Sequence, residues 1–298
     1  MKQNKIIVIG SINMDLVTSA NAFPKVGETV FGTSFITIPG GKGANQAVAA
    51  VRLGADVTMI GCVGEDIFGQ ELLKHLQLQG LNVDYVEPVT DVKTGTASIT
   101  LAEGDNHIIV VPGANYQVTA EIVEKHEDII SECNIMLLQL EIPKEAVEKA
   151  IELGKKHGLK VILNPAPFMK ISDEALEKID YITPNEIEVV ELLSGLDEAK
   201  KDRILEKCII TKGSQGVTYF ENGQEIDVDS IKVEVVDTTG AGDSFNGAFA
   251  VALTEGRTVE EACRFANVVG ALSVTKLGAQ SGMPTKDEVK HFLNSLKG

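Results

Sequence analysis

From residue 119 onward the chain keeps one rhythm, a helical run followed by a short apolar run. The pattern predicts helix over 119–131, strand IMLLQLE over 135–141, helix over 143–157 and strand KVILNPAP over 160–167. A short helix near 172–178, strand YITP over 181–184 and helix NEIEVVELLSG over 185–195 continue it. Strand CIITKG (208–213) and two short strands, VTYFE and QEIDV, come next, then helices across most of 241–256, 258–277 and 285–296. Strands separated by helices must be joined by crossovers. The rhythm therefore requires an α/β fold, a mostly parallel central sheet with helices on both faces.

The N-terminal third fits the same plan. KIIVIGSI (5–12) reads as a fully buried strand, and GGKGANQAVAAVRLGA (40–55) opens a helix of small residues. DVTMIGCVG (56–64) is strand and turn, and FGQELLKHLQLQG (68–80) is an amphipathic helix closed by a glycine. Two stretches break the rhythm. Residues 16–38 read as half-exposed strands around a Pro-Lys-Val-Gly turn, and 83–111 return to β character with VDYVEPV, TGTASITLA and HIIVVPG. We expect segments of about 12–38 and 86–111 to form a small accessory β-sheet over the edge of the main one. The chain shows no low-complexity linker and no clear repeat, so one domain over 1–298 is expected.

Composition narrows the partners. A formal net charge of −16 argues against nucleic acid and anionic membrane surfaces, though a nucleotide held locally by N–H groups, a lysine and a metal ion remains open. Cys62, Cys133, Cys208 and Cys263 are scattered in apolar contexts, as expected of buried thiols in a reducing cytosol. No apolar stretch reaches membrane-span length and the N-terminus lacks signal-peptide features, so a cytoplasmic location is expected.

Open parallel sheets bind ligands at the C-terminal ends of their strands. Polar residues gather there: SINMD (11–15), LE (140–141), NPAP (164–167), TPNE (183–186), TKGSQG (211–216) and DTTGAGDSFNG (237–247). The last is the sharpest signal. Gly240, Ala241 and Gly242 let N–H groups point outward at the start of a helix, a nest for a phosphoryl group. Asp243 then stands where it could take a proton from an attacking alcohol. The plainer alternative is that Asp243 caps the helix. GxxxxGK[ST] is absent, and Phe245 replaces the third glycine of GxGxxG, so a dinucleotide site is weakly supported.

GGKGANQAVAA (40–50) is the second signal. Gly40, Gly41 and Gly43 exceed what a helix start needs and suggest a ligand loop, with Lys42 and Asn45 offering charge and amide groups. Asn13 and Asp15 suit sugar hydroxyls or, equally, an Asx-turn that ends the strand, and Glu141 poses the same choice. Asn185, Glu186 and Glu188 are helix caps or organisers of water around Mg²⁺. The five histidines lack metal-ligand spacing and are expected at solvated positions.

GGKGANQAVAA and DTTGAGDSFNGAF resemble the two signatures of the ribokinase-like (PfkB) carbohydrate kinase family. GSINMD, FPKVGET, KTGTASI, NPAP, TPNE and TKGSQG stand in the family's order, so the resemblance spans essentially the whole chain. GSINMD with GGKGANQA is more similar to the branch acting on ribose than to the fructokinase or adenosine kinase branches. The resemblance implies ATP-dependent phosphorylation of a sugar primary alcohol, in that branch the 5-hydroxyl of D-ribose. It implies Asp243 as base and Gly240, Ala241 and Gly242 as anion hole. Asn13, Asp15, Gly41, Lys42, Asn45 and Glu141 match sugar contacts. Asn185 matches a position near the phosphates and Glu188 one near Mg²⁺. Thr211, Lys212, Gly213, Ser214, Gln215 and Gly216 match the nucleotide loop, with Asn267 beside the adenosine. A potassium ion is implied at Asp237, Thr239, Ser273, Lys276 and Gly278, with Gly282 where serine is common. The accessory sheet matches a lid, which implies a homodimer. Another sugar, or a silent binding protein on the same fold, are the competing expectations.

Overall fold

The computed structural model describes residues 5–295; residues 1–4 and 296–298, including the end of the expected 285–296 helix, lie outside the described residues. In chain order the strands are β1 (Lys5–Ile9), β2 (Asn13–Ala20), β3 (Gly32–Gly40), β4 (Asp56–Gly64), β5 (Asn82–Val89), β6 (Gly95–Ala102) and β7 (Asp105–Val111). β8 (Ile135–Leu138), β9 (Lys160–Leu163), β10 (Tyr181–Ile182), β11 (Ile209–Thr211), β12 (Val217–Glu221) and β13 (Gln224–Val228) complete them. The helices are α1 (Lys42–Arg52), α2 (Ile67–Gln79), α3 (Ala120–Lys125), α4 (Glu127–Ser131), α5 (Lys144–Lys156) and α6 (Asp173–Lys178). α7 (Glu186–Leu193), α8 (Glu198–Leu205), α9 (Ala241–Thr254), α10 (Val259–Ser273), α11 (Ala279–Gly282) and α12 (Lys286–Ser295) follow.

The central sheet runs β10-β9-β8-β1-β4-β5, and every pairing in it is parallel. β1 lies between β4 and β8, so chain order reverses beside it and opens a crevice at the ends of β1 and β8. One apolar core joins β1 and β4 to α1, α9 and α10, and a second packs α5 and its neighbours against the opposite face. The expected α/β architecture is therefore present. An antiparallel sheet, β11-β12-β13, extends it through isolated bridges from Ile182 to Cys208 and from Asn185 to Thr211.

The accessory sheet has the order β3-β2-β6-β7. One boundary needs correction: of the expected 86–111 segment, residues up to Val89 belong to β5, which pairs parallel with β4 in the main sheet. VDYVEPV carries buried Val83 and Val86 against that core, so its apolar face has a better home than the accessory sheet. The helix expected over 119–131 is broken at His126 into α3 and α4, and the strands expected to reach 141 and 167 end at Leu138 and Leu163. Residues 139–141 and 164–167 leave the ladder and become site loops. Among the described residues no helix is long and apolar enough to cross a membrane. The four cysteines are buried, as expected.

Candidate active site

Small residues set the geometry. α1 and α9 cross where Gly247 faces Ala49; a Cβ on Gly247 would stand 2.7 Å from both the Ala49 Cβ and the Gln46 carbonyl oxygen. That close approach brings Asn45 and Gln46 of α1 against Asp243 of α9. Asn45 Nδ2 donates to Asp243 Oδ2 at 2.9 Å, and Gln46 Nε2 donates to Asp243 Oδ1 at 3.1 Å. The capping alternative for Asp243 is thereby overturned. The N-cap of α9 is Gly240, in the left-handed region at φ 76°, and no side chain caps this helix. The N–H groups of Gly242 and Asp243 have no partner among the described residues, and a Cβ placed on Gly242 would point into open space. They leave free N–H donors at the open end of a fourteen-residue helix, an arrangement chemically suited to an anion.

Gly242 and Ala241 also line a cavity of about 460 Å³ together with Thr211, Gly213, Ser214, Gly216 and Asn267. Its remaining walls are largely apolar, including Val217, Ile231, Val233, Phe245 and Val274, which suits a flat heterocycle. Two residues of the expected nucleotide loop do not join this lining. Lys212 pairs with Asp227 at 3.3 Å and Glu225 at 3.8 Å, and Gln215 is exposed. Asn267 spends its Nδ2 on the carbonyls of Val228 and Asp229, holding the segment after β13 in place.

On the other side of Asp243, carboxylates converge. Ser11 Oγ donates to Glu141 Oε2 at 2.5 Å, and the Lys42 backbone N–H donates to the same oxygen at 3.1 Å. Burial first, then the charges of Glu141 and Asp243, push the Asp15 carboxyl up to about 7. Burial also raises Asp243, and the Lys42 charge with the Asn45 and Gln46 hydrogen bonds works against that rise. Asn13 and Asp15 lie within the extended strand β2, so neither makes the Asx-turn that was the equal alternative. The expected ligand loop at 40–43 also has a packing role. Cβ atoms on Gly41 and Gly43 would meet the Asn13 and Ser11 backbones at 2.7 and 2.6 Å, so these glycines seat α1 on the β1–β2 connection.

Asn185 and Glu188 form a capping box on α7, which realises the capping alternative. The Asn185 Nδ2 and Glu188 Oε1 atoms stay outside the box. Among the described residues no group of three or more His, Cys, Asp or Glu side chains could hold a metal. In the segment implied for potassium, Asp237 accepts from Thr239 N and Oγ1 and from Gly278 N. Ser273 Oγ bonds back to Gly270 O, and Lys276 Nζ turns away to Glu288, which leaves the backbone carbonyls as the available donors. A Cβ on Gly282 would meet Ser273 O at 2.4 Å and Lys276 O at 3.4 Å, so two carbonyls face a position kept free of side chain.

Asn115 and Gln139 escaped the sequence reading, and Gln46, Asn164, Thr183 and Asn246 lie in motifs it singled out without being assigned a role of their own. Asn115, just after β7, accepts from Ile12 N at 2.8 Å and donates to Asn13 Oδ1 at 2.6 Å. This turns the Asn13 amide NH₂ toward the site. Gln46, Gln139, Asn164, Thr183 and Asn246 are buried around Asp243. The available signal was polarity out of place: Gln139 interrupts the apolar run IMLLQLE, and Gln46 stands among alanines. None of the five histidines is buried, and four of them have partners at the surface. His75 bonds Gln280, His126 bonds Glu87, His157 bonds Glu127, and His107 stacks on Phe23.

The profile described as pfkB family carbohydrate kinase matches residues 3–286. The chain belongs to that family. Among relatives of this pfkB kinase, the ribokinase of Bacillus subtilis (strain 168) is 49% identical over 290 residues, covering 97% of this chain and 99% of that protein. A deoxyribokinase of Salmonella typhimurium is 39% identical over 302 residues, covering 97% and 98%. The structure of Arabidopsis thaliana ribokinase complexed with ribose and ATP superposes with a TM-score of 0.89 at 34% identity, covering 98% of this chain and 99% of that one.

Proposed function

We propose that this kinase transfers the γ-phosphoryl group of ATP to the 5-hydroxyl of D-ribose, giving D-ribose 5-phosphate and ADP. One observation carries the reading: an uncapped, buried Asp243 lies beside two unpartnered N–H groups, between the 460 Å³ cavity and the Asp15–Glu141 carboxylates. On this reading the cavity takes the adenosine. Asn13, Asp15, Lys42, Asn45 and Glu141 take the sugar hydroxyls. Asp243 accepts the 5-hydroxyl proton as the sugar oxygen bonds to the γ-phosphorus and the bond to ADP breaks. The Gly242 and Asp243 N–H groups meet the charge on the transferring oxygens. Relatives named ribokinase favour ribose; the relative named deoxyribokinase makes 2-deoxyribose the second candidate.

The chemistry of the residues present fits the two ions. Glu188 Oε1 would accept from waters on Mg²⁺, the Asn185 Nδ2 group would donate to a phosphate oxygen, and the ion would neutralise phosphate charge. The carbonyls of Ser273 and Lys276, with the Asp237–Gly278 loop, would hold K⁺, whose charge would stiffen the turn leading into α9. The accessory sheet would act as a lid over the sugar. Its exposed Phe35, Ile36, Ile108, Ile109 and Val111 suit a second copy of this chain. The proposed compartment is the cytoplasm, which supplies ATP.

The test is Asp243→Asn in a coupled assay for ADP release with ribose, Mg²⁺ and K⁺. Turnover falls by roughly three orders of magnitude or more while ribose and ATP still bind. Near-normal turnover would remove Asp243 as base. Absence of ADP release from the wild-type chain with every sugar of a pentose and hexose panel, despite measurable binding, would favour a silent binding protein.

A further inference from the structure

We infer that Gln46, its amide locked by Gln139, is a positioning residue that fixes the direction in which Asp243 presents its carboxylate to the sugar alcohol. This rests on the reading of Asp243 as the base. Gln46 and Gln139 are wholly buried, and Asp243 is 8% exposed. A carboxylate can only accept, so Gln46 must turn its NH₂ toward Asp243. That group donates to Asp243 Oδ1 and to Asn164 Oδ1, both at 3.1 Å. The Gln46 carbonyl oxygen then faces the other way and accepts from Gln139 Nε2 at 2.6 Å. Gln139 Oε1 is left buried with no partner among the described residues. The direction of each amide thus propagates outward from one charge.

The network closes on itself. Asn164 Nδ2 donates to Thr183 O at 3.1 Å, Thr183 Oγ1 to Asn246 Oδ1 at 2.6 Å, and Asn246 Nδ2 to Gly242 O at 2.9 Å. The ring starts at the Asp243 carboxylate, touches the strand ends after β9 and β10, and returns to the peptide unit that precedes Asp243, with Gln139 after β8 as a side branch on Gln46. Amides that only glued α1 to the sheet would be expected to satisfy one another; a buried carbonyl left without a partner is costly and rare. Here it is the consequence of aiming every other group at Asp243.

Asn45 cannot substitute for Gln46. Its Oδ1 is occupied by Gln280 Nε2 at 2.9 Å, its Nδ2 holds the other Asp243 oxygen, and on the proposed reading it also meets the sugar. Gln46 is the donor not shared with substrate. The charged groups facing Asp243 are Lys42 from α1, Glu141 after β8 and Asp15 on β2. Burial favours the neutral acid, whereas Lys42, Asn45 and Gln46 favour the carboxylate. Loss of Gln46 leaves more of Asp243 protonated and unable to accept a proton.

The experiment compares the full-length wild type with Gln46→Met, Gln139→Met, the double variant and Asp243→Asn. kcat is measured across pH at saturating ribose and ATP, so that titration of Asp15 in the free enzyme does not enter. Gln46→Met lowers kcat about tenfold to a hundredfold, with both KM values within about threefold and the acid limb of kcat moved to higher pH. Gln139→Met gives a smaller loss in the same direction. The double variant is no slower than Gln46→Met, because Gln139 acts through Gln46. A folded Gln46→Met with wild-type kcat and acid limb overturns the inference, as does a double variant losing the product of the two single effects. Should Gln46→Met fail to fold, Gln139→Met decides alone, since it leaves both donors to Asp243 in place: a moved acid limb supports the inference and an unmoved one overturns it. An active Asp243→Asn would instead remove the base assignment, whereas an inactive one beside a wild-type-like Gln46→Met removes only this inference.

Discussion

Ribose affinity should rise with pH across neutrality, and Asp15 supplies the magnitude. Burial and the neighbouring charges of Glu141 and Asp243 hold its carboxyl at about 7 in the unliganded protein. The raised value means the neutral acid dominates below that pH and the carboxylate above it. Sugar hydroxyls are donors, so on the proposed reading the ionised form binds them and the neutral form must first lose its proton. At pH 6 roughly one molecule in eleven carries the carboxylate, and at pH 8 roughly ten in eleven do, so Kd for ribose falls about tenfold from pH 6 to pH 8. Binding releases close to one proton at pH 6 and about a tenth of one at pH 8. Calorimetry in two buffers of different ionisation enthalpy reads both quantities. In Asp15→Asn the pH dependence should vanish and affinity should be low throughout. A ribose Kd that stays flat between pH 6 and 8 in the wild type, with no proton release, would refute the argument.

Other outcomes follow from packing and contacts. Gly247→Ala forces a methyl against Ala49 and should cost about 1–3 kcal/mol in denaturant unfolding while lowering kcat, because the α1–α9 spacing carries Asn45 and Gln46. Lys212→Ala should change the KM for ATP less than about twofold, since an exposed ion pair to Asp227 contributes little and the side chain does not line the cavity. Ile109→Glu on the exposed face of β7 should shift the sedimentation profile from dimer to monomer; a wild type that already sediments as monomer contradicts the lid-paired dimer. Replacing K⁺ by a bulky organic cation should lower both turnover and thermal midpoint, and an unchanged midpoint would argue against the carbonyl site at Ser273 and Lys276.

Much of this was legible from the sequence because it is encoded as period and punctuation. The strand–helix alternation marked the parallel sheet, and glycines beside a carboxylate marked the start of α9. The edge strand β5 was misplaced because an alternating pattern looks the same in a half-covered edge strand and in an accessory sheet. Asn185 and Glu188 could be read as caps or as ligands, and only coordinates separate the atoms used by the cap from those left over. The roles of Gln46, Gln139, Asn164 and Asn246 were not assigned for a different reason. Glutamine and asparagine carry no charge, and their significance lies in which atom faces which neighbour, a property that depends on residues from three strand ends and two helices meeting in space.

Asn13 and Asp15 ride on the accessory sheet, whereas Asp243 and the amides at the start of α9 are rooted in the core. Recognition of the acceptor and delivery of phosphate are thereby built on separate pieces of the fold, joined where the chain passes from β1 into β2 and Ile12 N–H donates to Asn115. Substitutions in the one can retune which alcohol is admitted without disturbing the other, an arrangement that would let one scaffold diversify across many acceptors while its transfer machinery stays constant.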